Sequence, residues 1–167
     1  YQYLAVKMMQ GFGEGCFRLL MFSVPGMIVA ALLFPVDFPD DPERWLWFAV
    51  MLLLSFFINS EINLLTGLFA FFVENNEGMI RMKRVAVDLF SGLVIPLSFF
   101  PGWAETALKL LPFQAITYLP GSVFTGTLQG GAIAQAAAVQ LFWMVALLAP
   151  LALVWRSARR RLFVQGG

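Results

Sequence analysis

Long apolar blocks separated by short polar punctuation organise this chain. Residues 17–36, 45–73, 79–97 and 131–155 are dominated by Leu, Ile, Val, Phe, Met and Ala. With a rise of ~1.5 Å per residue, about 20 such residues cross a ~30 Å hydrocarbon core, so each block is read as a transmembrane helix. Before the first block, 1–16 mixes Tyr3, Leu4, Val6 and Met9 with Lys7 and Glu14 and carries Gly11, Gly13 and Gly15. That pattern predicts an interfacial helix and a flexible joint, the other reading being an ordinary helix end that leads into the span. Arg18 is placed to snorkel, and Pro25-Gly26 predicts a kink rather than a boundary, because apolar sequence continues on both sides. Residues 45–73 exceed the thickness of the core and must tilt or protrude.

The stretch 91–126 has the hydropathy of a span but cannot be one. Pro96, Pro101, Gly102, Pro112, Pro120, Gly121 and Gly126 divide it. Each proline removes a backbone donor and clashes with the turn before it. A helix arriving at Pro96, a turn at 101–103, a short helix near 104–111, a break at 111–113 and a last short piece are expected. Broken backbone at membrane depth needs protein or water around it, so 98–128 is read as a re-entrant hairpin that returns to the side it came from. Trp103, Phe113 and Tyr118 suit an interface, while Pro96, Pro101, Pro112 and Pro120 set its turns.

Polar residues inside the blocks are the candidate functional positions. Ser55, Asn59, Asn63 and Thr66 fall along one stripe of the second block, and Glu61 points roughly the other way. Such a stripe either joins helices or faces a substrate path. An ionisable group near mid-span is a functional hypothesis by default, so Glu61 is read either as half of a structural pair or as a transport residue. Asp88, near the start of the third block, is expected to pair with Lys83, Arg84 or a neighbouring helix. Ser91 and Gly92 look like a small patch for close helix contact. The last block carries Gln135, Gln140, Trp143 and Pro150 and is expected to stop at Arg156, leaving 156–167 as a basic tail.

Composition agrees with a polytopic membrane protein. Of 167 residues 60% are hydrophobic and only 13% charged, far below the roughly 25% charged of soluble domains. A net charge of +1 gives no global field for nucleic acid. The sequence has one cysteine, Cys16, and no histidine, which leaves metal or Ser-His chemistry without its usual groups and the acidic residues without a catalytic partner. No catalytic, cofactor or metal residue is assigned. Basic residues divide unequally: Lys7, Arg18, Arg81, Lys83, Arg84, Arg156, Arg159, Arg160 and Arg161 fall on one side of the four-span topology, Arg44 and Lys109 on the other. The richer side is cytoplasmic by the positive-inside rule, which puts the C-terminus inside and the hairpin outside.

The order SG-x-x-IPL-x-x-FP-x-W, then LPF-x-x-x-x-Y-x-P, then a small-residue linker and a last helix followed by Arg160, Arg161, Gly166 and Gly167, resembles the membrane subunit of ABC-2 type exporters in their prokaryotic branch. The resemblance covers nearly the whole chain. It implies an all-α ABC-2 permease fold with four transmembrane helices here plus an extracytoplasmic re-entrant hairpin. Six spans are usual in the family, so two spans and a coupling segment are expected before Tyr1, where the opening YQYLAVKMMQ shows no secretory signal. The expected partners are an ABC-type ATP-binding subunit, a second permease subunit in a homo- or heterodimer, and the lipid bilayer of a prokaryotic inner membrane. No G-x-x-x-x-G-K-[ST] motif occurs, so ATP hydrolysis falls to the partner. The alternative is an ion-coupled secondary transporter using Glu61. The substrate is not legible.

Overall fold

The computed structural model describes residues 2–35, 38–39, 41–73, 76–92, 94–95 and 97–165. Among them the chain is all helical: α1 (Gln2–Arg18), a π-helical turn (Leu19–Ser23), α2 (Val24–Leu33), α3 (Pro42–Leu68), α4 (Glu77–Phe90), α5 (Gly102–Lys109), α6 (Tyr118–Phe124) and α7 (Gly131–Gln165). Single 3-10 turns lie at Phe69–Phe71, Leu97–Phe99 and Pro112–Ala115. Three stretches are long and apolar enough to cross a membrane, Ala5–Leu33, Pro42–Phe71 and Gly131–Ala158.

Four prolines mark helix starts, whereas Pro150 lies inside α7. Pro42 opens α3, Pro101 is the N-cap of α5, Pro112 opens its 3-10 turn and Pro120 sits in the first turn of α6. There the missing N–H would have had no helical partner anyway. Pro25 is different, because helix precedes it. The ladder shifts to the wider register, Val24 N–H bonding to the Leu19 carbonyl, and the helix runs on. The expected kink is thus a π-helical turn ahead of Pro25.

Three expectations differ from what is found. The joint at 11–15 is absent, since α1 runs helically through it; its glycines make room instead. A methyl group on Gly11 would collide with Ser60 Oγ, and one on Gly15 would come within 3.2 Å of the Phe56 ring. The third span over 79–97 stops early: α4 has 14 residues, about 21 Å of helix. Gly92, at φ +79°, ends it in the left-handed conformation that suits a residue without Cβ. Finally, α7 passes Arg156 without a break, so the basic segment begins as helix. Pro96, Gly166 and Gly167 lie outside the described residues, as do the side chains of Arg159, Arg160 and Arg161.

α3 is the centre of the bundle, touching α1, α4, α6 and α7. Its main core unites Met51, Ile58 and Ile62 with Ala115, Leu119 and Val123 of the broken segment and Ile133, Ala136 and Ala137 of α7. A second core joins Leu64 and Leu68 to Leu151 and Trp155. Rising numbers on α3 therefore meet rising numbers on α7, and the two helices run parallel. α1 is antiparallel to α3, because Met8 meets Ser60 while Gly15 meets Phe56. α4 also returns along α3, from Asn76 near Thr66 to Phe90, whose ring lies 5.9 Å from that of Phe113. One end of the bundle thus gathers the start of α1, the ends of α3 and α7 and the start of α4. The other holds an aromatic cluster of Phe38, Trp45, Phe48 and Phe124, with Gly126 against Arg44.

Candidate functional site

Two cavities border α3. The larger, about 810 Å3, opens between α1, α3 and α4. α1 presents Lys7, Gln10, Glu14 and Arg18 to it because positions 7, 14 and 18 recur on one helical face. α3 contributes Asn59, Ser60, Asn63, Leu64 and Leu68, the 3-10 turn after it contributes Phe71, and α4 contributes Lys83, Arg84, Val87 and Asp88. The smaller, about 340 Å3, is walled by Phe48, Leu52, Phe56, Pro120 and Gly121, with Ser55 as a polar member. Asn59, Ile116 and Thr117 line both. The polar cavity and the apolar one therefore meet at a wall made by Asn59 of α3 and by Ile116 and Thr117, the two residues between the 3-10 turn and α6.

Charge in the larger cavity is uneven. Glu14 is engaged by Arg18 at 2.6 Å. Lys7 Nζ donates to the neutral amide of Gln10 at 3.0 Å and Lys83 Nζ to that of Asn63 at 2.5 Å. Among the described residues no carboxylate forms an ion pair with Lys7, Lys83 or Arg84. Four cations face two carboxylates, with positive charge left over.

The wall between the cavities is anchored by a buried amide. Gln140, fully buried on α7, donates through Nε2 to the carbonyl of Met51 at 3.1 Å, to Ser55 Oγ at 3.0 Å and to the carbonyl of Ala115 at 2.7 Å. Ser55 Oγ donates to the same two carbonyls, at 2.8 and 3.0 Å. The broken segment leaves carbonyls outside any helical ladder, and an amide from α7 reaches one of them directly, beside Ser55 of α3. Below it, the Gln114 side chain donates to the Lys109 carbonyl. On the exposed side of α5 the Glu105 carboxylate, 2.7 Å away, hydrogen-bonds the Lys109 ammonium and holds it above its ordinary range.

A family model described as ABC-2 family transporter protein matches residues 4–166. This chain belongs to the ABC-2 transporter family. No curated protein and no solved structure matches it. The ABC-2 family implies a multi-pass membrane permease that works with an ATP-binding subunit, and the long apolar helices agree with that.

The sequence-predicted positions of this ABC-2 chain separate into groups. Asn59, Asn63 and Asp88 come together on the larger cavity. Thr66 turns its hydroxyl back to the Ile62 carbonyl of its own helix at 2.8 Å and lines neither cavity. Glu61 also lines neither; it is 2% exposed, beside the core residues of α3, with no hydrogen-bond partner at Oε2. Of the hairpin residues, Pro120 lines the smaller cavity, Phe113 and Tyr118 pack on the main core, and Trp103 is exposed. Pro101 and Pro112 start helices. Sequence reasoning missed Gln140 as the anchor, although a glutamine inside a charge-free apolar helix was the signal, and it missed the polar face of α1.

Proposed function

We propose that this chain is the permease subunit of an ATP-driven ABC-2 exporter in a prokaryotic inner membrane, with a translocation path along α3. The observation that carries this reading is the junction at Asn59, Ile116 and Thr117, where a polar cavity and an apolar one share a wall. The cavity end of the bundle, rich in Lys7, Arg18, Lys83, Arg84 and Arg156, is the cytoplasmic end by the positive-inside rule. The chain directions support four crossings: α3 and α7 run parallel, so the chain between them has to return along the bundle, a return that α4 begins. Residues 98–128 then form the re-entrant hairpin, at the outer end beside the aromatic cluster, and their small helices suit backbone buried by protein at membrane depth.

A second permease subunit faces the path and completes it, and the ATP-binding partner drives the rocking that opens the junction. The exposed apolar surfaces of α1, α2 and α7 are available to lipid and to that second subunit. Glu61 does not border the path, so the geometry favours ATP-driven over ion-coupled transport.

The test is co-purification and coupling. The chain should bring down an ATP-binding subunit, and inactivating that ATPase should abolish energised export. Asn59→Trp should keep the complex intact yet lower export at least tenfold by filling the junction. Export that continues without the ATPase and collapses with an uncoupler would refute the proposal.

A further inference from the structure

The two cavities have opposite chemistry, and they border each other at Asn59, Ile116 and Thr117. On one side, Lys7, Lys83 and Arg84 form no close ion pair with a carboxylate among the described residues, Asp88 of the same cavity acting on Lys83 only at longer range. Two of the three hold neutral amides instead, which orients the ammonium groups without neutralising them. On the other side, Phe48, Leu52 and Phe56 wall a volume whose hydroxyl-bearing residues are Thr117, at the shared wall, and Ser55, itself bonded to backbone carbonyls. Both volumes lie within the roughly 300–1,000 Å3 range of ligand pockets. A small hydrophilic anion would leave the apolar part empty, and a neutral apolar drug would leave the cations unmatched. We infer that the two cavities form one site for an anionic amphiphile, its phosphate-class head held by Lys7, Lys83 and Arg84 and its alkyl tail passing Asn59 and Thr117 toward Leu52 and Phe56.

This inference rests on the permease reading, and it names the class of substrate. The head sits at the cationic end, where a phosphate monoester exchanges water for charge-assisted hydrogen bonds. The tail gains by leaving water for an apolar wall. The same head chemistry is offered by a lipid of the inner leaflet and by a soluble alkyl phosphate.

The experiment measures binding to the transporter, purified with its ATP-binding subunit, in phosphatidylcholine nanodiscs without nucleotide. The probes are dodecyl phosphate, dodecylphosphocholine and inorganic phosphate. Dodecyl phosphate should bind at least tenfold more tightly than either of the others. Lys83→Gln and, on an exposed side chain, Arg84→Gln should each weaken it about tenfold, the loss of one charge-assisted contact. Leu52→Trp should weaken dodecyl phosphate and leave inorganic phosphate unchanged. Competition by phosphatidic acid added to the discs would support a bilayer lipid as the source, and its absence a soluble amphiphile. Equal binding of dodecyl phosphate and dodecylphosphocholine, or wild-type binding by both cation variants, would overturn the inference. Because no ATP is present, lost binding with ATPase-dependent export intact removes only the amphiphile site, while intact binding with ATPase-independent export removes the permease reading.

Discussion

The Gln140 amide donates to the Ala115 carbonyl at 2.7 Å, joining the last long helix to the 3-10 turn just ahead of Ile116 and Thr117, which border both cavities. The two residues meet directly beside α3, and Ser55 of that helix bonds the same carbonyl. Gln140→Leu keeps the bulk and removes three hydrogen bonds. It should destabilise the protein by about 1–2 kcal/mol and speed amide exchange in 112–124 more than elsewhere. A double-mutant cycle with Ser55→Ala should give a non-zero coupling energy, since both donors serve one acceptor. Uniform exchange across the chain would show that the amide does not hold the turn.

Gly11 and Gly13 provide an internal control two residues apart. A side chain on Gly11 meets Ser60, whereas Gly13 faces open space. Gly11→Leu should push α1 from α3, break the Ser60-to-Met8 hydrogen bond and lower the melting temperature by several degrees, while Gly13→Leu should leave it nearly unchanged. Thermal unfolding in detergent checks this, and equal effects at the two sites would contradict the packing.

Gly92→Ala should cost about 1–2 kcal/mol, the penalty for placing a Cβ at positive φ. The new methyl would also stand 3.5 Å from Tyr118, an ordinary contact, so the backbone term dominates. Gly78→Ala, in open space within α4, should instead be neutral or slightly stabilising. A denaturation comparison of the two substitutions separates a required left-handed turn from a tolerant one.

Glu61→Gln should leave energised export within twofold of wild type, because the carboxylate borders neither cavity. Its buried Oε2 has no hydrogen-bond partner, so the substitution should also hold or raise thermal stability. A tenfold loss of export at unchanged stability would restore Glu61 to the transport mechanism.

How much of this was legible in the sequence depended on whether the signal was local. Prolines act on their own backbone, so the division of 91–126 into short helices could be read directly, even though Pro120 starts a helix rather than ending one. Glycines are ambiguous because they serve both as breaks and as contact points: Gly11 and Gly15 looked like a joint, and Gly92 looked like a contact when it is a stop. The polar stripe from Ser55 to Thr66 is one line by periodicity, yet its members divide among the core, the cavities and the helix's own backbone. That division is set by where α1, α4 and α7 lie against α3, and no periodicity within a single helix contains it. Gln140 shows the same limit, for its partners are 25 to 89 residues away.

The parallel pairing of α3 with α7 constrains biogenesis. Consecutive antiparallel spans can leave the insertion machinery as a zipped pair, but α7 cannot dock until the residues between it and α3 have carried the chain back along the bundle. Until then the flank of α3 that holds Met51, Ser55, Leu64 and Leu68 lacks its α7 mate, and nascent chains stalled before residue 131 should expose it to quality-control proteases.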